Sequence, residues 1–108
     1  MIVEMRIYRC MPGRLPALLE RFRHTTLGFF AKYGIKQIGF WTTEVGENNH
    51  TLTYLLSWED MAEREKCWNA FQADVEWQEK RAESERQHAI VSRIENSFLL
   101  PTDFSALR

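Results

Sequence analysis

Apolar and polar side chains alternate along residues 2–9, near the start of the chain. A period of two is typical of a β-strand, because successive side chains point to opposite faces of a sheet. Pro12 and Gly13 follow, which predicts that the strand ends before them. The two faces carry Val3, Met5 and Ile7 on one side and Glu4, Arg6 and Tyr8 on the other.

The next segment has the spacing of an amphipathic helix. Its apolar residues recur so that they share one stripe at about 100° per residue. Gly34 follows the last of them and Lys32 lies just before it, as expected at the carboxyl end of a helix. The stripe consists of Leu15, Leu18, Leu19, Phe22, Phe29, Phe30 and Tyr33.

Two runs rich in β-branched and aromatic residues come next, at Lys36–Val45 and Thr51–Trp58. They are joined by Gly46–His50, a short segment rich in turn-forming residues. Together they predict a β-hairpin.

Two acidic residues mark further helix starts. Asp60, with Glu63 three residues later, is typical of a capping box, and the helical spacing of Trp68 and Phe71 predicts that they enter the core. Asp74 predicts a second amino-terminal cap. The helix after it contains the polar segment Gln78–Gln87 and is expected to run over the surface.

Ala89–Leu100 predicts a last strand, which Pro101 closes. The resulting order, β-α-β-β-α-β, is the split βαβ arrangement. We therefore predict the α+β class with a ferredoxin-like fold, in which two helices cover one face of an antiparallel four-stranded sheet, and a single domain over residues 1–108.

The other face of this sheet, here called the open face, has no helix to cover it. The strand pattern predicts a core side formed by Val3, Met5, Ile7, Ile38, Phe40, Leu52, Tyr54, Leu56, Ile90, Ile94 and Phe98. It predicts an open face formed by Glu4, Arg6, Tyr8, Trp41, Thr43, Val45, Thr53, Leu55 and Arg93. An aromatic-containing surface of this kind predicts a homodimer in which two open faces pack together.

The composition of the chain limits the classes of partner that we expect it to bind. The 108 residues contain 14 basic and 15 acidic side chains, and a net charge of −1 argues against general capture of nucleic acid. No apolar stretch is long enough for a membrane span, and the first residues do not resemble a signal peptide. Cys10 and Cys67 lie in no metal-binding or disulfide-rich pattern, so we expect reduced thiols and a cytoplasmic location.

Several segments resemble the NIPSNAP family. They are Met1–Tyr8, Pro12–Gly13, Trp68–Phe71, Asp74–Trp77 and Leu99–Ser105. The resemblance covers nearly the whole chain and implies a dimeric α+β barrel built from two ferredoxin-like protomers. It implies no defined activity. Haem-degrading relatives of the superfamily carry an axial histidine on the second helical region, where this chain has Glu76 and Trp77, so no haem is expected.

Residues for other familiar chemistry are scattered. His24, His50 and His88 show no metal-ligand spacing, Ser57 has no nucleophile elbow around it, and the glycines form no phosphate-binding loop. We therefore expect no metal, haem or nucleotide cofactor.

An aromatic and polar set remains as the candidate pocket or interface. Tyrosine and tryptophan suit both a packed interface and a pocket for a flat molecule. One hypothesis is a small homodimer that binds a small hydrophobic ligand or a protein partner. The alternative, suggested by superfamily relatives, is a cofactor-independent monooxygenase or isomerase acting on an aromatic or enolisable substrate. The candidate residues are Arg6, Tyr8, Trp41, Tyr54 and Trp58.

Overall fold

The computed structural model describes residues 1–108 as a four-stranded sheet with helices on one face. The strands are β1 (Ile2–Cys10), β2 (Lys36–Thr42), β3 (Thr51–Trp58) and β4 (Val91–Leu99), and the helices are α1 (Leu15–Arg21), α2 (Leu27–Lys32), α3 (Met61–Gln72) and α4 (Val75–Glu85). The strand order is β2-β3-β1-β4 and every pairing is antiparallel. The predicted α+β, ferredoxin-like protomer is confirmed.

The first helical segment is continuous but not uniform. A π-helical turn (Phe22–Thr26) connects α1 to α2, and such turns are rare insertions in α-helices. Leu18, Phe22 and Phe30 are buried beneath this segment. The helical spacing predicted the segment and its end, where Gly34 adopts a φ of +70° that favours glycine.

The two predicted caps of the later helices are confirmed. The Asp60 carboxylate accepts the backbone N–H of Glu63 at 2.8 Å, and the Asp74 carboxylate accepts that of Trp77 at 2.9 Å. Each bond satisfies a backbone donor that the first turn of a helix leaves free. Trp68 is buried in the core, as its spacing predicts.

An aromatic core fills the space between the sheet and the helices. The ring of Phe71 lies 5.3 Å from that of Phe30 and 4.8 Å from that of Trp77, measured between ring centres. Phe40 of β2 stacks on Tyr54 of β3 at 4.7 Å. Large rings therefore dominate the contact between the two layers.

The predicted orientation of β1 is wrong. In the register of the sheet, Glu4, Arg6 and Tyr8 lie opposite Leu56, Tyr54 and Leu52 of β3, all of which face the helices. Glu4 is fully buried, and Arg6 and Tyr8 are each 8% exposed. The open face instead carries the apolar members of β1, which are Val3, Met5 and Ile7.

The sequence pattern assigned the faces of β1 wrongly. An alternation of period two separates the side chains of two faces, but it does not show which face the helices cover. The remaining face assignments within β3 and β4 agree with the register. Thr43 and Val45 do not belong to the open face, since β2 ends at Thr42 and both residues lie in the following loop. None of the helices combines the length and the hydropathy that a membrane span requires.

Asp74 generates a prediction about acid stability. The Tyr33 hydroxyl, the backbone N–H of Trp77 and the Lys32 ammonium hold the pKa of Asp74 at about 2, below its ordinary value of 3.8. A carboxylate whose pKa is lower in the folded state contributes stability above its unfolded pKa and loses it as the pH falls towards the folded pKa. We expect the melting temperature to fall between about pH 4 and pH 2.

In Asp74→Asn this fall should be shallower, because asparagine keeps an acceptor for the cap but does not titrate. Thermal unfolding followed by circular dichroism from pH 2 to pH 7 measures the difference. Parallel curves for the two proteins would contradict the assignment.

Candidate functional site

A cavity of about 140 Å³ lies between the sheet and the helices, and we call it the helix-side cavity. Its apolar wall consists of Phe22, Phe30, Phe71, Trp77, Val91 and Ile94, and its polar lining includes Arg6, Tyr8, Arg21, Thr26, Arg81 and Glu85. Apolar walls with a few convergent polar groups are typical of small-molecule sites. A wider surface depression of about 420 Å³ near Arg14 and His88 has no apolar lining residue, so it is a poorer candidate.

Beside the cavity, one buried carboxylate organises a network of five side chains, here called the Glu4 network. Glu4 Oε1 accepts from Trp58 Nε1 and Arg64 Nε, each at 3.1 Å. Glu4 Oε2 accepts from Arg6 Nη1, Arg64 Nη2 and Asn96 Nδ2, also at 3.1 Å each. Every acceptor position of the carboxylate is therefore used.

This network keeps Glu4 ionised. Burial raises the pKa of a carboxyl group, but the hydrogen bonds from Arg64 and Asn96 and the charges of Arg6 and Arg64 outweigh it and lower the pKa of Glu4 below its usual value. The negative charge of Glu4 and the positive charges of Arg6 and Arg64 therefore stabilise one another.

Arg6 connects the Glu4 network to two phenols. Its Nε donates to the Tyr54 hydroxyl at 3.0 Å and its Nη2 to the Tyr8 hydroxyl at 3.4 Å, while the Tyr54 hydroxyl donates to that of Tyr8 at 3.2 Å. The guanidinium carbon also lies 4.4 Å from the ring centre of Trp68, a cation–π contact. Burial raises the pKa of Tyr54 well above 10, so its phenol stays protonated and acts as a donor.

Two buried donors, on side chains that also line the helix-side cavity, have no partner in the protein. Arg21 Nη1 donates to Ser84 Oγ at 3.2 Å and to Glu85 Oε2 at 3.1 Å, but its Nε donates to nothing. The indole Nε1 of Trp77 is likewise buried and unpartnered. Arg21 is 8% exposed and Trp77 5% exposed, and buried donors without a partner are unusual in folded proteins.

Glu85 is the one carboxylate in the cavity lining, and both of its oxygens accept hydrogen bonds from within the protein. Its Oε1 accepts the backbone N–H groups of Ile90 and Val91 at 2.8 and 3.2 Å. Burial raises its pKa, but these bonds and Arg21 lower it below the usual value. Glu85 is therefore a weak proton acceptor.

The structure brings together four of the five predicted site residues. Arg6, Tyr8, Tyr54 and Trp58 are joined by the hydrogen bonds above, on the side of the sheet that the helices cover. Trp41 lies on the open face, 52% exposed, with its ring over Gly39. A Cβ added at Gly39 would come within 2.7 Å of that ring, so the close approach requires glycine.

Sequence reasoning missed the helical contributors to the site. Arg64 lies four residues before buried Trp68, a spacing that places both on one helix face and could have indicated its position. For the unpartnered Nε of Arg21 the sequence contains no such signal, because the π-helical turn that follows this residue cannot be inferred from spacing.

The histidines stand apart from the helix-side cavity. His24 pairs with Glu20 on the exposed side of the helical segment, and His50 and His88 lie in connecting segments. Ser57 is on the open face, whereas Asp60 caps α3. Ser57, His50 and Asp60 therefore do not form a catalytic triad, and no three acidic, histidine or cysteine side chains converge on a metal position.

The NIPSNAP family model matches residues 3–106. A NIPSNAP family protein from Agrobacterium tumefaciens is 28% identical, with a TM-score of 0.88 over 99% of this chain and 98% of its own. An uncharacterized NIPSNAP domain protein from Burkholderia xenovorans is 27% identical, with a TM-score of 0.84 over 97% and 98%.

A more distant structure shares the fold alone. An antibiotic biosynthesis monooxygenase has a TM-score of 0.61 and 8% identity, covering 94% of this chain and 99% of its own. No curated protein matches the chain.

The Glu4 network generates a prediction about stability. Glu4→Ala leaves Arg6 and part of Arg64 buried without their counter-charge, which costs about 3–5 kcal/mol for a buried pair. Glu76→Ala is the control, because its pair with Lys80 is exposed and is worth about 0.5 kcal/mol or less. Urea unfolding measures both, and equal losses for the two variants would contradict the role given to Glu4.

Proposed function

The chain belongs to the NIPSNAP family, and from this premise we propose that it is a small homodimeric protein that binds a small hydrophobic ligand. The helix-side cavity is the observation that supports ligand binding. The apolar composition of the open face supports the dimer. A protein partner on the open face is the competing occupant of that surface.

The proposed dimer packs two open faces together. This face presents Met5, Ile7 and Leu55 at its centre, with Trp41 and Leu99 towards its edges at 52% and 43% exposure. Apolar side chains that share one face of a sheet without a covering layer favour association. Because Glu4 and Arg6 face the helices, β1 contributes Val3, Met5 and Ile7 to the open face, and these apolar side chains favour association.

The extent of exposed surface supports the same proposal. The chain exposes 6948 Å², whereas a compact monomer of 12.9 kDa exposes about 6,300 Å². Past the last strand, Leu100 and Phe104 are 78% and 85% exposed. A second copy would cover apolar surface of this kind, and a stable interface needs about 800 Å² from each partner.

The proposed ligand occupies the helix-side cavity. A cavity of about 150 Å³ can hold one benzene-sized molecule, and the cavity here has about 140 Å³ with six apolar or aromatic side chains in its wall. Arg6 and Tyr8 reach this cavity. Tyr54 accepts from Arg6 and donates to Tyr8, whereas Trp58 donates to Glu4, which in turn accepts from Arg6.

The second proposal is a cofactor-independent monooxygenase or isomerase. The observation in its favour is the guanidinium and phenol pair of Arg6 and Tyr8 at the cavity, since donors of this kind stabilise a developing enolate. Proton removal from such a substrate also needs a base. Glu85 has a lowered pKa and no histidine lines the cavity, so binding is the better supported function.

We propose that residues 1–108 form one domain, which the single core cluster of 15 buried residues supports. We propose a cytoplasmic location, supported by the two free thiols at Cys10 and Cys67.

The molar mass of the protein in solution tests the proposed dimer. Light scattering at micromolar concentration should report twice the chain mass of 12.9 kDa. Leu55→Lys places a charge at the centre of the open face and should return the mass to that of one chain, whereas Val45→Lys, in a loop at 94% exposure, should not. A monomeric parent protein would refute the dimer.

Ligand binding is tested by blocking the cavity. Fluorobenzene should show saturable binding to the protein by fluorine NMR, and Ile94→Trp should abolish it because a larger ring at this lining residue fills the space. Phe98→Trp is the matched control, since Phe98 lies on the same face of β4 but outside the cavity lining. If fluorobenzene fails to bind, or binds both variants equally, the proposed site is wrong.

A further inference from the structure

We infer that the ligand of the helix-side cavity is a small phenol, bound as its anion, whose oxygen accepts a hydrogen bond from the Tyr8 hydroxyl. This inference rests on the proposed function, because it assigns a chemical class to the ligand of the same cavity. Its starting point is the direction of the hydrogen bonds around the two phenols of the sheet.

The Tyr8 hydroxyl keeps a proton that no protein atom accepts. Tyr54 is fully buried, and its hydroxyl bonds with the guanidinium of Arg6 and the hydroxyl of Tyr8. Because a guanidinium only donates, the Tyr54 proton goes to the Tyr8 oxygen. That oxygen also accepts from Arg6 Nη2, so both of its acceptor positions are used and its own proton is left without an acceptor.

The position of Tyr8 in the sheet directs this proton towards the helix-side cavity. Tyr54 lies on one side of Tyr8, on β3, and Arg6 lies on the same strand as Tyr8. The side that is left is that of β4, where Ile94 is the register partner of Tyr8. Tyr8 and Ile94 both line the cavity, and Ile94 is 47% exposed, so the protein leaves room at this point.

The charge behind this donor selects an anionic oxygen. The Glu4 network contains two arginines and a single carboxylate, and neither Arg6 nor Arg64 pairs with another acidic side chain. The network therefore carries one positive charge in excess, and Arg6 brings that charge to the Tyr8 oxygen. A hydroxyl that accepts from a guanidinium is in turn a stronger donor, because hydrogen bonds in a chain polarise one another.

The rest of the lining fits the anion of a phenol. Arg21 and Glu85 neutralise one another and Arg81 is exposed and unpaired, so no excess negative charge opposes an anion. Both oxygens of Glu85 already accept hydrogen bonds, so the lining offers no free carboxylate to a neutral phenol, whose proton passes to water before binding. One free hydroxyl proton matches one ligand oxygen, and the aromatic walls and the volume admit a single ring.

Matched probes test the acceptor and its charge. Fluorine NMR titrations compare 4-fluorophenol with fluorobenzene, and the more acidic 2,4,6-trifluorophenol with 1,3,5-trifluorobenzene, so that each pair differs only in the hydroxyl. We expect 4-fluorophenol to bind about tenfold more tightly than its match, and 2,4,6-trifluorophenol to show a larger preference, since hydrogen bonds to charged groups are stronger. The fluorine shift of bound 2,4,6-trifluorophenol should be that of the anion at a pH at which the free probe is protonated.

Each outcome of these titrations decides one part of the argument. Equal affinities within both pairs would overturn the inference and leave the proposed function standing, whereas no binding of any probe would refute both. A preference that does not grow with the acidity of the phenol, or a bound trifluorophenol with the shift of the neutral form, would overturn the anionic state and with it the inference.

Tyr8→Phe tests the donor. This variant removes the hydroxyl and keeps the ring, so the affinity for 2,4,6-trifluorophenol should fall about tenfold. The affinity for 1,3,5-trifluorobenzene should stay the same, which shows that the cavity is still formed. Tyr33→Phe is the control, because the Tyr33 hydroxyl bonds with Asp74 outside the cavity lining. Equal losses for both probes in Tyr8→Phe would show that the hydroxyl only maintains the fold and would overturn its role as donor.

Arg64→Gln tests the excess charge. Arg64 does not line the cavity, and glutamine keeps a donor for Glu4 while it brings the Glu4 network to neutrality. The added preference for the more acidic phenol should disappear, whereas 1,3,5-trifluorobenzene should bind as it does to the parent protein. Lys80→Gln is the control, because it removes an exposed positive charge from α4 and should change neither affinity. An unchanged preference in Arg64→Gln would contradict the role given to the charge.

Discussion

The buried carboxylate of Glu4 is the constraint on which the rest of the structure depends. An ionised group without water must be fully paired, and Glu4 meets this requirement with Arg6 on its own strand, Arg64 on α3, Trp58 on β3 and Asn96 on β4. These partners lie on three strands of the sheet and on one helix. The network therefore fixes the register of three strands against one helix.

The same constraint decides which side of the sheet is apolar and uncovered. Once Glu4 and Arg6 turn towards the helices, the alternation of β1 puts Val3, Met5 and Ile7 on the open face. A monomer would then bury Glu4 and Arg6 and leave part of its aliphatic surface exposed. Association through the open face removes this imbalance, so the dimer proposal follows from the placement of two charged residues.

Most of the fold could be predicted from the sequence, and the reason lies in local signals. Helical spacing and the caps at Asp60 and Asp74 located the helices, and β3 was predicted with the bounds that it has. The face of β1 could not be predicted, because its outcome depends on Arg64 and Asn96, which are distant in sequence from Glu4. The site was only partly predictable for the same reason, since Arg21 and Trp77 reach the cavity through the packing of helices.

The residues that the sequence singled out and the residues with free chemistry are largely different groups. Arg6 donates to Glu4, Tyr54 and Tyr8, and Tyr54 donates to Tyr8, so most of the donors of Arg6 and Tyr54 are used within the protein. Arg21 and Trp77 keep one donor each that nothing in the chain accepts. Apart from the Tyr8 hydroxyl, the polar side chains of the sheet are therefore committed to holding the fold together, whereas the two unpartnered donors lie on the helical segments and are enclosed by the packing of those segments.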